Sequence, residues 1–129
     1  MLPGRPPSPR LRGTRDLRRA PRVDVLTRIK GQLVPIDTPV TILNLSRTGF
    51  AIVSEVTFQP GQTLDFRLAG ENGVVVTVTA EAVHSRPHPR ARGQHLTGFR
   101  FVPGRLTGIV PQAKIDQLID AVVPVGSLI

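Results

Sequence analysis

Two short stretches of this 129-residue chain carry side chains suited to recognising an anion. The first is Arg18-Arg19-Ala20-Pro21-Arg22, and the second is Asn44-Leu45-Ser46-Arg47-Thr48-Gly49. A guanidinium presents a planar fork of donors that matches phosphate oxygens and the O6/N7 edge of guanine, and it stacks on ring faces. Lysine offers only a point charge, and the chain uses it at Lys30 and Lys114 alone. In the second stretch Asn44 can donate to or accept from a base edge, Ser46 can bond a phosphate or a base, and Gly49 lets backbone turn sharply or come close. The same Asn-x-Ser-x-x-Gly pattern suits an ordinary turn, because Asn and Ser bond nearby backbone and Gly accepts positive φ. Arginine clusters are, in the same way, commonly solvated surface. Taken singly, each stretch leaves both readings open.

Other chemistry is poorly supplied. With zero cysteines there is no thiol nucleophile, thiolate zinc site or disulfide framework. His84 and His88 stand four apart, the spacing of two ligands on one helical face, but Pro87 and Pro89 forbid a helix there. They are read as surface histidines, with no metal site. No glycine-rich loop of the Walker or dinucleotide type occurs. The expectation is a binding protein and not an enzyme.

Charge is distributed unevenly. The chain carries 17 Lys and Arg against 9 Asp and Glu. Seven of the arginines (Arg5, Arg10, Arg12, Arg15, Arg18, Arg19 and Arg22) precede residue 23, where Asp16 is the single acid. A nearly neutral body therefore bears a cationic arm that should seek an anion. Residues 1–17, with Pro3, Pro6, Pro7 and Pro9, cannot bury enough apolar surface to offset the entropy of ordering them, and are expected to be a flexible arm. Nothing in Met1–Arg10 resembles the apolar core of a secretory signal, and no run approaches the ~18 apolar residues of a membrane span. A cytoplasmic protein without membrane insertion is expected.

The elements that must position the two stretches follow from periodicity. Val23, Val25 and Ile29 share one parity, as do Leu64, Phe66 and Leu68, and short strands are also expected at Val40–Leu43 and Phe50–Val53. The longest strand is expected in GVVVTVTAEAVHS, where Val74, Val76, Val78, Ala80 and Ala82 alternate with Val75, Thr77, Thr79 and Glu81. Val83 breaks that alternation, which a bulge would explain. A last strand runs over His95–Val102, with Phe99 and Phe101 inward and Arg100 outward. Asn72-Gly73 and Pro60-Gly61 mark turns, and Phe50, Phe66, Phe99 and Phe101 are assigned to the core. Arg47 is read as pointing to solvent, with ligand contact as the lesser alternative, and Arg86, Arg90 and Arg92 as a solvated hairpin tip. Ile115, Leu118, Ile119, Val122 and Val123 then recur at helical spacing, opened by Pro111 and stopped by Pro124, as an apolar stripe that would plug one end of the barrel. The pattern predicts an all-β fold with one helix, an antiparallel barrel or sandwich of about six strands. Residues 18–123 would form the domain and 124–129 a tail.

The two stretches in this order, with the long valine-rich strand, Gly98-Phe99-Arg100-Phe101 and a terminal helix after them, resemble the PilZ domain family over roughly residues 15–123. That family pairs Arg-x-x-x-Arg before the first strand with Asp/Asn-x-Ser-x-x-Gly some twenty residues later. Arg18 and Arg22 match the first element, with Arg19 as the neighbouring arginine often found there, and Asn44, Ser46 and Gly49 match the second. The resemblance implies a six-stranded antiparallel β-barrel with a C-terminal α-helix. It also implies a receptor or adaptor for cyclic di-GMP that needs no cofactor. Arg15, Arg18, Arg19, Arg22, Asn44, Ser46 and Gly49 are then the ligand-binding candidates. His84 joins them, since relatives often carry an aromatic there; it either stacks on guanine or is a plain strand-end histidine. Asn in place of Asp at residue 44 gives up a twin-oxygen acceptor, which weakens guanine recognition.

Fixing about eight arm residues costs on the order of 8–16 kcal/mol. A hydrogen bond to a charged group returns only about 1.5–3 kcal/mol. Four or five such bonds from Arg15, Arg18, Arg19 and Arg22 would balance that cost in the presence of ligand and leave the arm free without it, as in a switch. Output would pass to a protein effector or an oligomer such as a homodimer. The alternatives are an interaction module of the same fold that has lost the ligand, or a nucleic-acid binder using the basic arm. Against the latter, the chain has no Tyr or Trp to stack bases.

Overall fold

The computed structural model describes the backbone of Val23–Asp24 and residues 28–122 in full. The arm, Val25, Val123, the tail, and the candidates Arg15, Arg18, Arg19 and Arg22 lie outside the described residues. The strands are β1 (Val23–Asp24), β2 (Ile29–Leu33), β3 (Thr38–Leu45), β4 (Gly49–Ser54), β5 (Thr63–Gly70), β6 (Val75–Pro87) and β7 (His95–Val102). A helix, α1 (Gln112–Val122), follows them.

All ladders are antiparallel, in the order β1-β3-β2-β5-β6-β7-β4, and β4 pairs back onto β3. Six strands, β2 to β7, thus close into the expected barrel, which leaves no long open edge. The seventh piece, β1, continues along β3 beyond the end of β2: Lys30 pairs with Thr41, whereas Val23 pairs with Leu45 and Asp24 with Asn44. The single run expected from Val23 to Ile29 is therefore represented by two described strands that pair with β3 in different registers. Six steps of chain from Asp24 to Lys30 accompany three from Asn44 to Thr41, a register shift that local alternation cannot reveal.

Alternation in β6 gives the barrel its wall: Val76, Val78, Ala80 and Ala82 are buried, while Val75 and Thr77 face outward. They surround an aromatic centre in which Phe99 stacks on Phe50 at 5.3 Å and meets Phe66 edge-on at 4.8 Å. Phe58, which the strand pattern did not single out, is buried too and meets Phe99 edge-on at 5.2 Å. Phe101 packs on Phe50 at 5.5 Å but is only half-buried, so it is a wall residue and not a central one.

Helix α1 buries Ile115, Leu118 and Val122 against this core, with Ile119 partly buried beside them. It lies across the end of the barrel where β2 begins, β5 ends and β3 turns into β4. Leu118 presses on Gly70 at the end of β5, and Arg28 donates to the carbonyls of Val122 (3.1 Å) and Ala121 (3.4 Å). A cation on the last carbonyls suits the negative end of a helix. Among the described residues no helix is long and apolar enough to cross a membrane.

Candidate functional site

The Asn44–Gly49 stretch spans the end of β3 and the turn into β4. Asn44 is half-buried and pairs in register with Asp24 on one side and Ala51 on the other, next to a bulge between Ile42 and Asn44. Ser46 is buried, and its Oγ accepts from the backbone N–H groups of Thr48 and Gly49, both at 3.2 Å. The Ser46 N–H also donates to the Gly49 carbonyl at 2.8 Å. This hydroxyl therefore shapes the turn that displays Arg47 and Thr48. Ser46→Ala should strand buried N–H donors and lower stability by about 1–2 kcal/mol, measured as a lower denaturation midpoint with an unchanged slope.

Gly49 does not occupy the positive-φ region that the turn reading expects; Gly61, Gly73, Gly93 and Gly108 do. Its reason is space. A Cβ on Gly49 would lie 2.0 Å from the Phe99 carbonyl oxygen of β7 and 3.0 Å from the Arg100 Cα. The glycine lets the turn sit against β7, where the Phe101 N–H donates to the Thr48 carbonyl at 2.9 Å.

That close approach builds one wall of a pocket of about 580 Å³ on the outside of the barrel. Arg47 and Thr48 come from the turn, His84 from β6, Gly98 and Arg100 from β7, and Gln112 from the start of α1. His84 faces this pocket because β6 carries the bulge suspected at Val83: the pairing slips between Ala82 and His84, so His84 stands opposite Gly98. Its ring lies over that glycine, since a Cβ on Gly98 would be 3.0 Å from His84 Nε2. His88 is elsewhere, accepting from the Arg90 N–H at the hairpin tip, and the described residues hold no cluster of metal-ligating groups.

The pocket is cationic, with Arg47 and Arg100 in its walls and no acid among its described lining residues. Each arginine is held from outside by a carboxylate: Arg100 by Glu81 of β6, and Arg47 by Asp116 of α1. Arg47 faces solvent as expected, and it also has a partner. It remains largely exposed, yet its Nε and Nη2 donate to the two Asp116 oxygens at 2.9 and 3.3 Å. Hydrogen bonds from Arg47, and then from Gln112, hold the Asp116 carboxyl below its ordinary range, and the same pair raises Arg47. Because the carboxyl pKa is lowered by folding, this contact is present above the ordinary carboxylate range and is lost as pH falls through the lowered value.

Of the sequence candidates, the structure places His84 in the pocket and Ser46 and Gly49 behind its wall, with Asn44 farther back on β3. Thr48, Arg100 and Gln112, which also line this pocket, were not singled out as site residues in the sequence, and Arg47 was given ligand contact only as the lesser alternative. The outward parity of Arg100 was the one available signal.

The family model described as the PilZ domain matches residues 16–121. The Bacillus subtilis inhibitor of motility MotI/DgrA has a similar fold, with a TM-score of 0.66 at 15% identity over 83% of this chain and 49% of that one. Escherichia coli YcgR in complex with c-di-GMP is similar with a TM-score of 0.59 at 17% identity, over 81% of this chain and 43% of that one. The PilZ domain of Escherichia coli YcgR with c-di-GMP gives a TM-score of 0.56 at 16% identity, covering 82% of this chain and 88% of the domain. This chain thus spans about half the length of the first two proteins. No curated protein matches the sequence.

Proposed function

The chain belongs to the PilZ domain family, and from that premise we propose that it is a cytoplasmic receptor for cyclic di-GMP whose N-terminal arginine arm closes over the ligand and signals to a partner. The observation that carries this reading is the β1–β3 ladder. Val23 pairs with Leu45, the residue before Ser46, and Arg22 is bonded directly to Val23. That chain adjacency supports an arm whose Arg18–Arg22 element reaches the Asn44–Gly49 turn, more than twenty residues away in sequence.

The adjoining pocket supports the same ligand class. Its volume of about 580 Å³ falls within the range of roughly 300–1,000 Å³ usual for small-molecule sites. Its cations suit phosphate, and the His84 ring is available to stack on a base. The YcgR structures with c-di-GMP share the fold. Every role in this reading is one of binding, positioning or relay; no residue is assigned a catalytic step. The output passes to a protein effector or to a second copy of the chain.

Calorimetric titration tests the reading. Cyclic di-GMP should bind more tightly than cyclic di-AMP, because an arginine fork that reads guanine O6 and N7 meets an amino donor on adenine and loses about 1–3 kcal/mol per base. Equal affinities for the two dinucleotides would reject guanine recognition. No heat with either would reject the receptor reading.

A further inference from the structure

Arg47 belongs to two structures at once. It projects from the turn between Ser46 and Gly49 into the pocket wall, and its fork is closed on Asp116 of α1. Gln112, one helical turn before Asp116, completes the clamp: its Nε2 donates to the Arg47 carbonyl at 3.1 Å and to Asp116 Oδ1 at 3.2 Å. The beginning of α1 is thus attached to the turn by polar contacts, while Ile115, Leu118 and Val122 anchor the helix to the core.

A phosphate presents the same oxygen geometry to a guanidinium fork as a carboxylate does, and the Nε–Nη2 edge of Arg47 that holds Asp116 can close on only one of them at a time. The Arg47–Asp116 pair is exposed, 61% and 41% by side chain, so a pocket ligand can exchange for it. We propose, resting on the receptor reading, that Arg47 is a further ligand-binding residue: a ligand phosphate takes its fork from Asp116, and the first turn of α1 loosens as a result. Asp116 is the stand-in anion of the unliganded protein. The buried stripe, Ile115 included, keeps the helix in place, so the change offered to a partner is the exposed side of the first turn, with Gln112 and Asp116 released from Arg47, and not a departing helix.

Titration of the whole chain with cyclic di-GMP, combined with hydrogen exchange along α1, tests the exchange of partners. Arg47→Ala should weaken binding by about tenfold or more, the loss of a charged hydrogen bond. Asp116→Asn should tighten it by up to about fivefold, since the ligand no longer competes with an exposed ion pair. In the wild type, ligand should speed amide exchange over residues 112–117; in Asp116→Asn that exchange should be fast already and respond little. Wild-type affinity in Arg47→Ala, weaker binding in Asp116→Asn, or an α1 that ligand leaves unchanged would each overturn the proposal while the receptor reading stands. Absence of binding by the wild type would overturn both.

Discussion

Gly49→Ala should lower the stability of the unliganded protein by about 3 kcal/mol or more, at the upper end of what overpacking usually costs. The new methyl would meet a backbone carbonyl, not the tip of a flexible side chain: 2.0 Å to the Phe99 oxygen leaves no rotamer that relieves it. Relief requires the start of β4 to part from β7, at the Gly49–Arg100 and Phe50–Phe99 pairs and over the central aromatic rings. For a domain of this size each kcal/mol is worth roughly 4–8 °C, so a fall of about 12 °C or more in the melting temperature is expected. Gly98→Ala supplies the contrast. Its methyl would meet only the His84 ring, at 3.0 Å, and that ring can swing away. Gly98→Ala should therefore melt near the wild type while altering the pocket. Equal melts for Gly49→Ala and wild type would show that the strand approach tolerates a side chain.

Arg22→Ala should produce the opposite profile, with an unliganded melt near that of the wild type and an affinity for cyclic di-GMP reduced by about 10- to 100-fold, the worth of one charge-assisted hydrogen bond. Arg22→Lys should lose nearly as much, because it keeps the charge and discards the fork. Ligand should raise the wild-type melting temperature by mass action and leave that of Arg22→Ala nearly unmoved. A ligand-induced shift of wild-type size in Arg22→Ala would remove this residue from the site. If lysine restores full affinity, the arm attracts anions without reading them.

Much of the architecture was legible because it rests on local periodicity. The valine alternation of β6 and the apolar spacing of α1 each report a buried face, and the faces are where the pattern puts them. What the pattern could not report is proximity between distant segments. Gly49 was recognisable as a required glycine, but turn chemistry suggested positive φ, and only the arrival of β7 explains it. Arg47 read as solvated because its partner, Asp116, lies 69 residues away. The bulge at Val83 was detectable as a broken alternation, yet that His84 would lie over Gly98 depended on the β6–β7 register. The change of register between β1 and β2 was hidden for the same reason, since both pieces show strand parity and differ only in their registry with β3.

The two-pair ladder between β1 and β3 also sets a concentration. A group tethered through a few residues meets its site as though dissolved at about millimolar strength, whatever the amount of protein present. Val23 is fixed opposite Leu45, and Arg22 and Arg18 are one and five residues from it along the chain. In the proposed receptor the arm arginines would therefore need little intrinsic affinity for a ligand already resting against the barrel, since their encounter would be intramolecular and first order. The same arginines on a separate peptide would have to be supplied at millimolar levels to match it. If the arm closes as proposed, a cut between Arg22 and Val23 would convert a unimolecular closure into a bimolecular one, and would silence the arm by dilution without altering a single contact inside the barrel.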